Sequence, residues 1–114
     1  MRLEFCYLPT SNLDASLRLY RDQLGFDELW REGETTVGLA IPGNETALMI
    51  DGAGLDGWGP GPIFGVDSVR DFHAEHPQLD VVTEPYEIPG GHLMAARDPS
   101  GNMLYVMDQS TDGG

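Results

Sequence analysis

Residues 12–26, Asn-Leu-Asp-Ala-Ser-Leu-Arg-Leu-Tyr-Arg-Asp-Gln-Leu-Gly-Phe, carry the pattern from which the rest of the chain can be read. Thr10, Ser11 and Asn12 are helix N-cap residue types. Leu13, Leu17, Tyr20 and Leu24 then recur at helical spacing, which predicts a helix with one apolar face. Gly25 stands where a left-handed C-terminal cap belongs, with Phe26 behind it to fold back on the last turn. Upstream, residues 3–8 (Leu-Glu-Phe-Cys-Tyr-Leu) are apolar and aromatic enough for a strand. Downstream, residues 26–32, 35–41 and 46–50 read as three strands, punctuated by Gly33-Glu34 and by Pro42-Gly43-Asn44.

The same order then returns. Residues 62–66 read as a strand. Asp67 and Ser68 are N-cap candidates for a short helix carrying Val69, Phe72 and His73, which Pro77 stops. Residues 79–84, 92–96 and 103–107 read as strands, separated by a Pro89-Gly90-Gly91 turn and by Asp98-Pro99-Ser100-Gly101-Asn102. Two βαβββ modules are therefore expected, 1–51 and 62–109, joined by the Gly/Pro-rich linker 52–61, with Ser110 to Gly114 as a loose tail. One helix on four strands leaves a sheet face uncovered, so neither module suffices alone. Side by side they make an α+β fold: a curved mixed sheet with helices on the convex face and a cup on the concave face. Pairing within one chain and exchange between two chains are both compatible with the sequence, and a homodimer is expected.

Composition narrows the functional classes. The 114 residues are 40% hydrophobic, enough for one domain with a core, and no apolar run approaches the length of a membrane span. The N-terminus does not read as a signal peptide: Glu4 and Pro9 interrupt it. Cys6 is the single cysteine, so no intrachain disulfide or thiolate metal cluster can form, and a cytoplasmic location is expected. The formal net charge of -13 is spread evenly, four arginines against ten acids in residues 1–57 and two against nine in 58–114. Such a field repels nucleic acids and anionic membranes. It serves solubility first, or a saline host, and attraction of a cationic ligand second.

Two stretches carry a resemblance. Asn12 to Leu17, leading through Leu19-Tyr20 to Leu24-Gly25-Phe26, looks like the first-helix signature of the vicinal-oxygen-chelate superfamily, which includes glyoxalase I, bleomycin-resistance proteins and extradiol dioxygenases. Asp98-Pro99-Ser100-Gly101-Asn102-Met103-Leu104-Tyr105 resembles its closing hairpin. The resemblance spans nearly the whole chain and implies the fold above. It also implies a divalent ion in metal-dependent members, held by His, Gln or Glu from the first and last strand of each module. Here those positions fall on Phe5, about Leu48, Gly61 and Tyr105, none with a ready donor, since a phenol ligates only when deprotonated. Glu4 and Asp51 are the nearby carboxylates and would both have to turn onto the cup face. No metal site and no cofactor are expected.

Strand alternation then predicts the lining. Leu3, Phe5 and Tyr7 share one face of the first strand. Met103, Tyr105 and Met107 share one face of the last, with Leu104 and Val106 under the helix. Cys6 should be buried on the helix side. Phe5, Tyr7, Trp30, Leu48, Trp58, Tyr86, His92, Met103, Tyr105 and Met107 are the candidate ligand-binding residues. The lining suits a small aromatic or apolar molecule, cationic if the acidic field is functional, as in sequestration of an antibiotic or metabolite; equally, these residues could pack on one another. Trp58 either stacks on a ligand or anchors the linker. His92 and Tyr105 are the weak candidates for catalysis, with Tyr86 beside them, while His73 and His76 read as helix-end residues. Three enzyme or accessory alternatives stand beside the receptor reading: a metal-dependent lyase, isomerase or dioxygenase, a metal-free acid/base enzyme, and a dimerising module with a filled cup.

Overall fold

In the computed structural model, residues 1–54 and 57–110 are described. The elements run β1 (Arg2–Pro9), α1 (Leu13–Leu17) continuing as a π-helical segment (Arg18–Gln23), β2 (Asp27–Glu32), β3 (Thr36–Ala40), β4 (Ala47–Asp51), β5 (Gly61–Gly65), α2 (Val69–Glu75), β6 (Asp80–Ile88), β7 (Gly91–Arg97) and β8 (Met103–Asp108). The α+β class and the repeated βαβββ order expected from the sequence are both present. One compact unit is Glu4–Pro60; the other is Gly61 onward with Met1–Leu3. The expected linker 52–61 contains residues 55 and 56, and the expected tail contains 111–114, all outside the described residues. Gly61 itself begins β5. Among the described residues no helix is long and apolar enough to cross a membrane.

In module one, β1 runs parallel to β4, with Phe5 opposite Ala47 and Tyr7 opposite Met49. β4, β3 and β2 then form an antiparallel meander. Alternation sends Val37, Leu39, Leu48 and Ile50 to one face, where they bury against Leu17, with Cys6, Leu8, Leu13, Tyr20, Phe26 and Ile41 packed around them. Each such aliphatic contributes roughly 1.5–3 kcal/mol of burial, and this cluster is what holds the helix on the sheet. Cys6 is therefore on the helix side, as expected.

The helix starts as predicted and ends differently. Asn12 caps it, its side chain accepting from Ala15 N at 3.0 Å. From Arg18 onward the turns widen: Leu24 N donates to Leu19 O and Phe26 N to Tyr20 O. The extra residue per turn rotates the chain beyond Tyr20, so Leu24, predicted on the apolar face, is 53% exposed. Phe26 replaces it, its ring 6.0 Å from that of Tyr20. Gly25 does take the left-handed conformation, at φ 81°.

Module two repeats the wiring. β5 is parallel to β8, Ile63 opposite Tyr105, and β8, β7 and β6 are antiparallel. Val69, Met94 and Val106 form its helix-side core with Phe72, Val81 and Leu104. Ser68 caps α2 by accepting from Asp71 N at 3.1 Å. The Asp98 turn is tied by three bonds to its carboxylate, from Ser100 N, Asn102 N and Asn102 Nδ2. The Asn102 side chain, its backbone and those of Ser100 and Gly101 hold this carboxyl below the usual range against the opposing effect of desolvation.

Candidate functional site

The face of module one opposite the helix is built from transverse rows. Trp30, Gly38, Met49 and Tyr7 are register partners across β2, β3, β4 and β1; Ala40, Ala47 and Phe5 form the next row, and Glu32, Thr36, Asp51 and Pro9 the one on the other side. Small residues at Gly38, Ala40 and Ala47 let the large rings lie down across the sheet. A Cβ on Gly38 would sit 2.7 Å from Trp30 Cζ2 and closer still to Cε2 and Nε1, so the indole rests on the bare backbone there. Phe5 meets Trp30 edge-on, centroids 5.8 Å apart at 90°. Trp30, Phe5 and Met49 are all half-buried, and together form an aromatic and thioether shelf.

Trp30 reaches this face through a β-bulge. Glu28 pairs with Leu39 and Trp30 with Gly38, so Leu29 is the extra residue and is 56% exposed. Strict alternation would have put Glu28 and Trp30 on one face. Instead Glu28 turns to the helix side, where Arg31 at 2.8 Å and Arg21 at 3.1 Å bond its carboxylate. Arg31 first, and then Arg21, lowers the Glu28 pKa, with desolvation opposing.

The polar row ends at Asp51. Tyr7 donates its hydroxyl to Asp51 Oδ2 at 2.6 Å, and Thr36 Oγ1 and Ala53 N donate to Oδ1 at 3.1 and 2.9 Å. Tyr7 is only 2% exposed. Trp58 sets its ring against it at 5.8 Å and 80°, and a Cβ on Gly54 would lie 2.5 Å from its hydroxyl. Gly54 and Trp58 thus both lie against Tyr7. Met49, Gly38 and Thr36 were missed by sequence reasoning, and Asp51, set aside there as a carboxylate that would have to turn onto this face, does lie on it. The signal was there: with Phe5 and Tyr7 assigned to this face, an Ala47-Met49-Asp51 alternation in β4 was the other of two choices.

In module two the corresponding face carries Met103, Tyr105 and Met107 on β8, with Leu93 and Ala95 from β7 and Tyr86 from β6. Leu104 and Val106 lie on the helix side, as alternation predicts. Tyr105 is 1% exposed, whereas Tyr86, on the edge strand, is accessible.

Two expected site residues are displaced. Leu48 shares the parity of Ile50 and is buried in the helix-side core, so it lines no ligand face. A one-residue slip in reading β4 exchanges its two faces. His92 shares the parity of Met94 and faces the helix side as well. It is 8% exposed, its Nδ1 lies 3.0 Å from Ser110 Oγ and 3.4 Å from Asp108 Oδ1, and Arg70 Nε donates to Nε2 at 3.4 Å. Its neighbour Asp108, 3% exposed, also receives Val69 N at 2.6 Å, His92 N at 2.9 Å, Ser110 N at 3.2 Å and Ser110 Oγ at 2.9 Å. Burial opposes its ionisation, but these bonds outweigh burial and the carboxyl lies below the usual range. The group is a tie between β7, β8 and α2. Ser110 belongs to it, and so is not part of a loose tail. His73 pairs with exposed Glu84 at 3.0 Å, and His76 stacks on Phe72, as helix-end residues do.

The donor set at the positions where relatives would hold a metal does not fit a divalent ion. In module one Phe5, Leu48 and the neighbouring Met49 offer a hydrocarbon ring, an aliphatic chain and a thioether, and Asp51, the one nearby carboxylate on this face, is already held by Tyr7, Thr36 and Ala53 N. In module two the positions are Tyr105 and Gly61, where any side chain would collide with the Met103 carbonyl oxygen. Among the described residues no three His, Cys, Asp or Glu side chains converge in a metal-binding group.

The model of the Glyoxalase/Bleomycin resistance protein/Dioxygenase superfamily matches residues 2–106. No curated protein matches the chain in sequence. Among solved structures it is similar to a Streptomyces coelicolor methylmalonyl-CoA epimerase in complex with 2-nitronate-propionyl-CoA, at 16% identity and a TM-score of 0.76, over 96% of this chain and 98% of that one. It is similar to a protein from Legionella pneumophila described as an NAD-dependent benzaldehyde dehydrogenase, at 15% identity and TM-score 0.76, covering 92% and 97%. A superfamily member from Vibrio splendidus matches at 14% identity and TM-score 0.69, covering 91% and 95%. At these identities the likeness is one of fold.

Proposed function

This chain belongs to the Glyoxalase/Bleomycin resistance protein/Dioxygenase superfamily, and on that frame we propose that it is a metal-free receptor for a small aromatic or apolar molecule. The observation that carries the reading is the Phe5–Trp30 pair laid across Gly38, with Met49 beside it, on the sheet face that no helix of its module covers. The Trp30 indole lies against the bare backbone of Gly38, and a side chain so held loses little entropy when a flat molecule stacks on it. Met49 adds a polarisable side chain that adapts to irregular shapes. Of the candidates for acid/base work, His92 faces the helix side and Tyr105 is buried, which leaves Tyr86 on the edge strand as the accessible one. Sequestration, in a cytoplasmic homodimer, is the physiological form of this proposal.

The test is a titration of the metal-stripped protein with neutral naphthalene and indole derivatives, followed by tryptophan emission. Saturable quenching is expected in the wild type and in Trp58→Phe, and its loss in Trp30→Ala. A stoichiometric, tightly held Ni, Zn, Mn or Fe in the purified protein, or binding indifferent to Trp30→Ala, would overturn it. Sedimentation of the same sample reads the dimer.

A further inference from the structure

We propose that His92 and Arg70 form a proton-operated latch on α2, because a proton and the Arg70 guanidinium compete for the same ring nitrogen; the latch is independent of the module-one shelf. The imidazole is 8% exposed, and both its nitrogens are engaged. Nδ1 faces acceptors only. Ser110 Oγ, 3.0 Å away, gives its own proton to Asp108 Oδ1 at 2.9 Å, and Asp108 Oδ1 itself lies 3.4 Å from Nδ1. Nδ1 therefore carries the proton of the neutral ring. Nε2 faces a donor, Arg70 Nε at 3.4 Å. A guanidinium keeps its protons at any physiological pH, so Nε2 is the bare nitrogen. The two sides of the ring fix the same tautomer.

A second proton has one place to go, Nε2, and Arg70 occupies it. Protonated there, the ring would set N–H against N–H and cation against cation at 3.4 Å, so Arg70 has to leave. Among the described residues no carboxylate pairs with Arg70, and the bond to Nε2 alone ties its head group to β7. The charges facing His92 come from three elements. Asp108 of β8 lies at Nδ1, Arg70 of α2 lies at Nε2, and Glu87 of β6 is the register partner of His92 on the same face. His73, one turn along α2, is taken up by Glu84. Asp108 remains a carboxylate where histidines titrate: burial opposes its charge, but the bonds from Val69, Ser110 and His92 N outweigh burial. Asp108 and Glu87 draw the second proton in, while burial and Arg70 keep it out. The latch thus has two states, a neutral ring with Arg70 bound and an imidazolium with Arg70 free. Val69 N and His92 N stay on Asp108 in both, so the strands keep their order and only the side-chain tie from α2 opens.

Carbon-detected NMR of the isotope-labelled full chain reads both groups between about pH 8 and pH 5, the interval in which histidines change charge. At the alkaline end the His92 ring should show a protonated Nδ1 and a bare Nε2. As the ring takes up its second proton, the Arg70 Nε and Cζ shifts should move, with the same midpoint, to those of a solvated arginine. In His92→Gln the amide oxygen can accept from Arg70 Nε and does not titrate, so the Arg70 shifts should stay constant across the interval. His73→Gln should leave the wild-type response in place. A neutral ring protonated on Nε2, Arg70 shifts that stand still while His92 gains its proton, or a response that persists in His92→Gln would each overturn the latch. Should His92→Gln not fold, the tautomer and the shared midpoint in the wild type decide it.

Discussion

Replacing Gly38 by alanine puts a methyl carbon where the Trp30 indole lies. The nearest ring atoms would be 2.7 Å away or closer, and ordinary carbon contact is roughly 3.5–4 Å, so the indole must lift by about 1 Å. The obstacle is a side chain on an edge strand, so the sheet can survive the change. The edge-on Phe5 contact is lost, about 0.5–1.5 kcal/mol, together with roughly 1 kcal/mol of indole burial if about 40 Å² returns to water. Alanine in a strand regains about 0.5–1 kcal/mol over glycine. The net destabilisation is about 1 kcal/mol, a fall of about 4 °C in Tm for a chain of this size. Ligand affinity should drop about ten-fold, because the platform is tilted. In a Trp58→Phe background only Trp30 emits, and its emission should move to longer wavelength. Unchanged emission with unchanged affinity would show that the indole does not rest on Gly38, and the shelf would have to be abandoned.

The polar ties set further outcomes. Asp108→Ala leaves three backbone N–H groups, of Val69, His92 and Ser110, without their acceptor, and should cost roughly 3 kcal/mol, lowering a urea midpoint by about 1.5 M in a circular-dichroism melt. Because the native Asp108 pKa is depressed, its contribution is fully present above the unfolded value near 4 and fades as pH falls through the lower native value; the gap between wild type and variant should hold at neutral pH and narrow only below about pH 4. Tyr7→Phe removes one of the three donors to Asp51 and should cost about 1–2 kcal/mol in the same melt. Dialysis against a chelator should leave Tm within about 1 °C, since a metal bound only by the native state would add stability that chelation removes.

The repeat was determined by the sequence alone. N-cap residues, an apolar helical face and turn residues at Pro42-Gly43, Gly90-Gly91 and Asp98–Asn102 are local signals, and local energies fix them. The faces of β1 and β8 were legible too, because Phe5/Tyr7 and Met103/Tyr105/Met107 lie on strands without a bulge. The tertiary structure decided everything that depends on one residue of register. The parity of β4 put Met49 and Asp51 on the open face and Leu48 in the core, since Leu48 packs with Leu17 and Ile50, contacts made at long range. The bulge at Leu29 aimed Trp30 at Gly38, and the π turn after Leu17 exchanged Leu24 for Phe26. His92 was settled by its pairing opposite Asp108. Alternation has a period of two and the helix one of 3.6. A single inserted or slipped residue therefore reverses every later assignment without altering the composition, and only packing against the rest of the chain selects which register survives.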